Sequence, residues 1–305
     1  MILFHFMESS VLLSILLPIA LGIIMFGLGL TLSIGDFTRI VNYPKAVALG
    51  LVCQMVVLPF ACIGITRLFN LSPELAVGLI LLSASPGGVT SNFYTHLAKG
   101  DLVLNITLTA FGSLLCIFTL PLIINFSMEM IMEKSTYIPL QFSKVLQMFT
   151  IILLPVSIGM FIRRKKLSLA VSLQKPVKFF SLVFLILLIL FQVVKERENI
   201  ASYWQQAGLA VLSFNLFSMA LGFFMPRFFN IPVKQSIAIS MGSGIRNSAL
   251  SIAIALSPSL LNNSTMSIPA ALYTVVMYFT AALFGYIISN KLKQKETSSP
   301  PPVID

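Results

Sequence analysis

Nine stretches of this chain are each about 20 residues long and nearly free of charge, and that pattern leaves few folds open. They run approximately 11–33, 46–69, 75–98, 102–126, 142–162, 177–194, 206–225, 235–257 and 268–290. A bilayer core about 30 Å thick is crossed by roughly 20 helical residues. A membrane β-barrel would instead show short segments of alternating polarity. The chain is 57% hydrophobic and 10% charged, against about 25% charged in soluble domains. These features predict an all-α polytopic membrane protein with nine transmembrane helices. The first apolar run is too long for the h-region of a signal peptide and reads as a retained span. Cys53, Cys62 and Cys116 lie in apolar runs without C-x-x-C spacing and read as small buried hydrophobes.

The net charge of +10 does not call for a nucleic-acid partner, because no basic-aromatic cluster accompanies it; in membrane proteins Lys and Arg collect in cytoplasmic loops. With the N-terminus outside, fourteen basic residues fall on the cytoplasmic side, among them Arg39, Lys45, Lys99, Arg163 to Lys166 and Lys234. Five fall outside: Arg67, Lys134, Lys144, Lys195 and Arg197. The expectation is an integral protein of the cell (inner or plasma) membrane, N-terminus out and C-terminus in. Residues 1–290 form one transporter domain, and the polar, Pro-rich residues 291–305 form a disordered cytoplasmic tail.

Two spans break their own helices. The third carries "SASPGGVTSN" (83–92) and the eighth carries "SMGSGIRNSA" (240–249). Each has Gly and Ser at mid-span, with Pro86, Gly87, Gly242 and Gly244 as helix-breaking positions, followed by an Asn beside a Ser. The two spans are five helices apart, so they cross in opposite directions, as inverted repeats do. Paired interruptions of this kind point to a transporter's binding site. Lipid offers no partner to a free backbone group, so a broken helix persists only where protein or a cavity covers it. The break exposes half-helix N-termini, which attract anions, and unwound carbonyls, which hold cations. Pro18, Pro59, Pro121 and Pro155 lack neighbouring Gly and Asn and read as simple kinks.

Four stretches carry a resemblance: "GIIMFGLGLTL" (22–32), "DFTRIVNYPKAVALGLVCQMVVLP" (36–59), "SPGGVTSNFYTHLAKGDLVLNITLT" (85–109) and "GIRNSAL" (244–250). Together they resemble the bile acid:sodium symporter family, its bacterial-type members included. The resemblance implies a panel domain (helices near 11–69 and 177–225) and a core domain (near 75–162 and 235–290). Two discontinuous helices cross in the core. It implies sodium-coupled transport of a small organic anion, bile-acid-like or a small carboxylate or sulfonate, by alternating access. It also implies sodium ligands at Ser91, Asn92, Asn105 and Thr109 and a second-site ligand at Gln54; substrate contacts are expected around the breaks at Gly88, Val89, Arg246 and Asn247. The protein needs no cofactor beyond the transported sodium, its surroundings are lipid, and its oligomeric state is left open.

Two positions depart from the family pattern. Gly242 stands where the family has an intramembrane Glu, and Arg246 where sodium-dependent members have Gln. An Arg at mid-membrane costs about 2.5–3.5 kcal/mol on insertion scales. Three readings of Arg246 compete: a fork for the substrate anion, a built-in replacement for a bound cation, giving transport that is sodium-independent or uses only the remaining site, or a cap on broken-helix carbonyls. A sodium ion about 6 Å from Arg246 would be repelled by roughly 3 kcal/mol at an effective dielectric of about 20, which a bound anion offsets. His96, in the inner half of its span, is a candidate proton carrier. An enzyme is not expected, since His5 and His96 are the only histidines and no span carries an acidic residue. Arsenite exporters would place a Cys at the first break, and none stands there.

Overall fold

The computed structural model describes residues 10–38, 41, 43–132, 142–195, 200–258 and 260–297, and among these residues it is all-helical apart from one isolated bridge. His5, Arg39, Lys134, Arg197 and tail residues 298–305 lie outside the described residues. The helices are α1 (Ser10–Thr31), the short α2 (Ile34–Thr38), α3 (Pro44–Val52), a π-helical turn (Cys53–Val57), α4 (Leu58–Leu68), α5 (Pro73–Ala84) and α6 (Thr90–Leu97). They continue as α7 (Leu102–Ile131), α8 (Phe142–Lys165), α9 (Leu167–Lys195), α10 (Ile200–Phe228), α11 (Val233–Gly244), α12 (Ser248–Leu256) and α13 (Ile268–Thr297). Among the described residues, five helices are long and apolar enough to cross a membrane: Pro44–Leu68, Leu102–Ile131, Leu167–Phe184, Ala201–Phe228 and Thr265–Asn290.

The helix ends follow from local chemistry. Pro73 opens α5 at its first turn, where its missing N–H is no loss. Asp101 and Asn247 cap α7 and α12 by accepting from the N–H groups of Leu104 (3.0 Å) and Leu250 (3.1 Å). Before each broken helix the chain makes the same turn. Asn70 (φ 48) and Asn230 (φ 59) take the left-handed conformation, donating to Arg67 O (3.1 Å) and Arg227 O (3.0 Å). The next residues, Leu71 and Ile231, then donate to Thr66 O (3.0 Å) and Pro226 O (2.9 Å). This is the helix-stop geometry that Asn tolerates. The sequences behind it, "RLFNLSP" (67–73) and "RFFNIP" (227–232), are near copies. The last helix continues to Thr297, past position 290 where a disordered tail was expected to begin; its Lys, Leu, Gln and Glu residues there are good helix formers.

Helices α1, α8 and α9 pack on one another, whereas α4, α10 and α13 pack around the two broken helices. This grouping differs from the division expected from sequence, which put 142–162 with the broken helices and 46–69 and 206–225 with the first span. The close approach of α1 and α8 explains the difference. A Cβ on Gly29 would lie 2.2 Å from Val156 O, and one on Gly159 2.6 Å from Phe26 O, so the two backbones touch. Small residues are what permit such contact between helices in lipid. Large apolar side chains such as Phe60, Phe118, Phe228 and Phe279 point outward, and only 6% of Leu167–Phe184 is buried. An apolar exterior suits a hydrocarbon solvent.

Candidate functional site

The two breaks meet. After α5 ends, Ser85 is extended, and Gly87 pairs with Arg246 in an antiparallel bridge. The Gly88 N–H donates to Ile245 O (2.8 Å) and the Asn247 N–H donates to Pro86 O (3.0 Å). Each break thus supplies the partner the other lacks, which lipid could not. Both glycines are closely packed: a Cβ on Gly87 would sit 3.0 Å from Gly242 O, and one on Gly88 3.1 Å from Arg246 O, so a side chain at either would press on backbone.

Beside the crossing lies a buried polar cluster. The Asn105 carboxamide, on α7, is 2.8 Å from Ser91 Oγ and 2.8 Å from Asn92 Oδ1, both on α6. With its oxygen turned toward Ser91 it also accepts from the Asn92 N–H (3.2 Å) and donates to Ala238 O on α11 (3.0 Å). One side chain therefore joins both broken helices. Thr109, one turn on, donates its hydroxyl to Asn105 O (2.9 Å). Three neutral oxygen-bearing side chains, Ser91, Asn92 and Asn105, converge here, while the Thr109 hydroxyl is turned to the backbone of its own helix.

Arg246 is 1% exposed. Its Nη1 donates to Ser85 O (3.0 Å) and its Nη2 to Gln54 O (3.1 Å). The Gln54 carbonyl is free for a local reason. In the π turn the Leu58 N–H goes to Cys53 O, and the next residue is Pro59, which has no N–H. The expectation that Pro59 is only a kink is corrected: with the π turn, it presents a carbonyl to Arg246. The Gln54 side chain is 1% exposed, and neither its nitrogen nor its oxygen has a partner. Gly242 lies between Gln54 and Asn105, since a Cβ there would be 3.1 Å from Gln54 Nε2 and 2.8 Å from the Asn105 amide.

The structure thus gathers Gln54, Ser91, Asn92, Asn105, Thr109, Gly242 and Arg246 into one region. The Gly88 and Asn247 N–H groups, expected at the substrate, are committed to the crossing, while the Val89 side chain is 38% exposed. Gly244 ends α11, and its carbonyl accepts from Asn215 Nδ2 (2.9 Å) and the Tyr273 hydroxyl (2.7 Å). His96 is in the last turn of α6 and exposed. Sequence reasoning missed Ser85, Pro59, Asn215, Tyr273 and Ala238. Asn215, a carboxamide isolated in an apolar run, was the one visible signal; Tyr273 acts through its hydroxyl, and Ser85, Pro59 and Ala238 act through main-chain atoms or by position. A largely apolar cavity of about 270 Å³ opens between α1, α8 and α7, lined by Met25, Leu28, Pro86, Ser113, Ser157 and Leu250 among others.

Comparison with known proteins bears on the family of the chain. Residues 18–203 match the family described as "Sodium Bile acid symporter family". The chain belongs to this family. It is 29% identical over 290 residues to the uncharacterized sodium-dependent transporter YocS of Bacillus subtilis (strain 168), covering 93% of this chain and 86% of that protein. It is 26% identical over 302 residues to the ileal sodium/bile acid cotransporter of Oryctolagus cuniculus, covering 97% and 86% respectively. It is also 27% identical over 260 residues to the probable sodium/metabolite cotransporter BASS1, chloroplastic, of Arabidopsis thaliana, covering 84% of this chain and 62% of that one. The chain is accordingly an integral membrane protein of a sodium-dependent transporter family, and not an enzyme.

Proposed function

We propose that this protein is a sodium-coupled secondary active transporter of organic anions that works by alternating access. The observation that carries the reading is the reciprocal backbone pairing of the two breaks, Gly88 to Ile245 and Asn247 to Pro86, directly beside the Ser91, Asn92 and Asn105 cluster. Sodium binds at Ser91, Asn92, Asn105 and Thr109 through neutral oxygens. The substrate enters the cavity between α1, α8 and α7, whose apolar wall suits a hydrophobic body and whose Ser113 and Ser157 suit a polar group. Anion preference follows from the N-terminal poles of α6 and α12 at the crossing. The α1, α8 and α9 group forms the panel and moves against the remaining helices, with nine membrane passages, inverted repeats and an outside N-terminus. Occupied cluster and cavity together permit that motion.

The test is uptake of a radiolabelled bile acid and of a small carboxylate into proteoliposomes, under an inward sodium gradient and under potassium. Saturable, sodium-driven uptake of either, with counterflow, is the expected result. Uptake of neither, or uptake indifferent to sodium, overturns the proposal.

A further inference from the structure

Resting on the transporter reading above, we infer that the Arg246 guanidinium is a tethered cation. It occupies the polar crossing point in place of an exchangeable ion and leaves the Ser91, Asn92, Asn105 and Thr109 cluster to hold sodium.

The acceptors it uses are those a bound metal ion would use. Ser85 O lies at the C-terminal, negative pole of α5, and Gln54 O is left without a helix donor by the π turn and Pro59. Half-helix ends and unwound carbonyls are the groups that hold cations in transporters with broken helices. Carbonyl capping alone does not call for a charge, as the other break demonstrates. There Gly244 O is closed by the neutral donors Asn215 and Tyr273. The two breaks are built alike and closed differently, one by neutral side chains and one by a buried cation.

The surroundings disfavour a second mobile charge, although the Arg246 Nε is itself buried without a partner among the described residues. Both hydrogen bonds of the guanidinium go to main-chain carbonyls and none to a carboxylate. Gly242 offers no side chain to the pocket between Gln54 and Asn105. A free cation beside Gln54 would meet the positive charge of Arg246 with only neutral oxygens to hold it. The unpartnered Gln54 carboxamide is the ligand such an ion would use if Arg246 were absent.

The proposal is tested by thermal unfolding of the purified protein in sodium chloride against potassium chloride at constant ionic strength. Arg246→Gln removes the charge and frees both carbonyls. It is expected to acquire an added, saturable, sodium-specific rise in Tm of about 3 °C over wild type. Arg246→Lys keeps a cation and should respond to sodium as wild type does. A sodium response in Arg246→Gln equal to that of wild type overturns the proposal. If Arg246→Gln folds only in sodium, the proposal stands. If it folds in neither salt, the Arg246→Gln, Gly242→Glu double variant decides: recovery in sodium alone supports a vacated ion position, and failure in both salts overturns it. Unfolding does not depend on transport, so absent uptake would overturn the transport reading while this result is still read.

Discussion

Gly87 and Arg246 face each other in a single antiparallel bridge, so the residue that lacks a side chain and the residue with the largest buried one meet at the same point of the crossing. The pairing leaves little room for a side chain on one strand because Gly242 O lies against Gly87. It needs an anchored partner on the other, which the guanidinium supplies through Ser85 and Gln54.

Gly87→Ala should destabilise the fold by about 1–3 kcal/mol, because the added Cβ presses at 3.0 Å on the backbone carbonyl of Gly242 and must displace it. Uptake should fall with it. Gly64→Ala is the control: nothing lies within 4 Å of its added Cβ, and the helix should gain up to about 1 kcal/mol. Equal Tm values for the two variants would show that the crossing tolerates a side chain.

Asn105→Ala removes the side chain that joins α6 to α11. Ser91 and Ala238 O each lose a buried partner, a cost of about 1–3 kcal/mol. The sodium concentration for half-maximal uptake should rise at least about tenfold, the equivalent of about 1.4 kcal/mol. An unchanged sodium dependence in a folded variant would move the ion away from this cluster.

Tyr273→Phe and Asn215→Leu each withdraw one donor from Gly244 O. Singly they should cost about 0.5–1.5 kcal/mol in unfolding free energy. Together they leave a buried carbonyl orphaned, so the double variant should lose more than the sum of the single losses. Additive losses would mean that water reaches Gly244 O.

Pro59→Ala restores an N–H that can enter the helix and compete for Gln54 O, which Arg246 Nη2 now holds. The sodium-specific Tm rise should then exceed that of wild type, in the same direction as Arg246→Gln but smaller. A Tm in potassium that rises with no change in sodium response would show that the Gln54 carbonyl does not hold the guanidinium in place.

Much of the site is legible in the sequence because its polar residues stand out against lipid-solvated surroundings. "SPGGVTSN" and "GSGIRNS" break an apolar pattern, and Asn105 and Thr109 are one turn apart on α7. The duplicated Arg-x-Phe-Asn turn before both broken helices was not read from the sequence; the left-handed Asn70 and Asn230 revealed it. The partners that work through main-chain oxygen were not visible. Ser85 and Gln54 receive Arg246 at carbonyls, and every residue carries a carbonyl, so no residue type marks the acceptor.

The length of the apolar runs determined that the chain is helical and lies in a membrane, and the Pro, Gly, Ser and Asn motifs within two of them that two helices are interrupted, because the bilayer imposes a ruler and forbids unpaired backbone. The tertiary structure decided which break closes which: Gly88 with Ile245, Asn247 with Pro86, Arg246 with Ser85 and Gln54. It also decided that α8 packs with α1 and α9 rather than with the broken helices. These choices depend on where backbones can touch, at Gly29 against Val156 and Gly87 against Gly242. Contact between residues distant along the chain is a property of the packed helices and has no periodicity to be read.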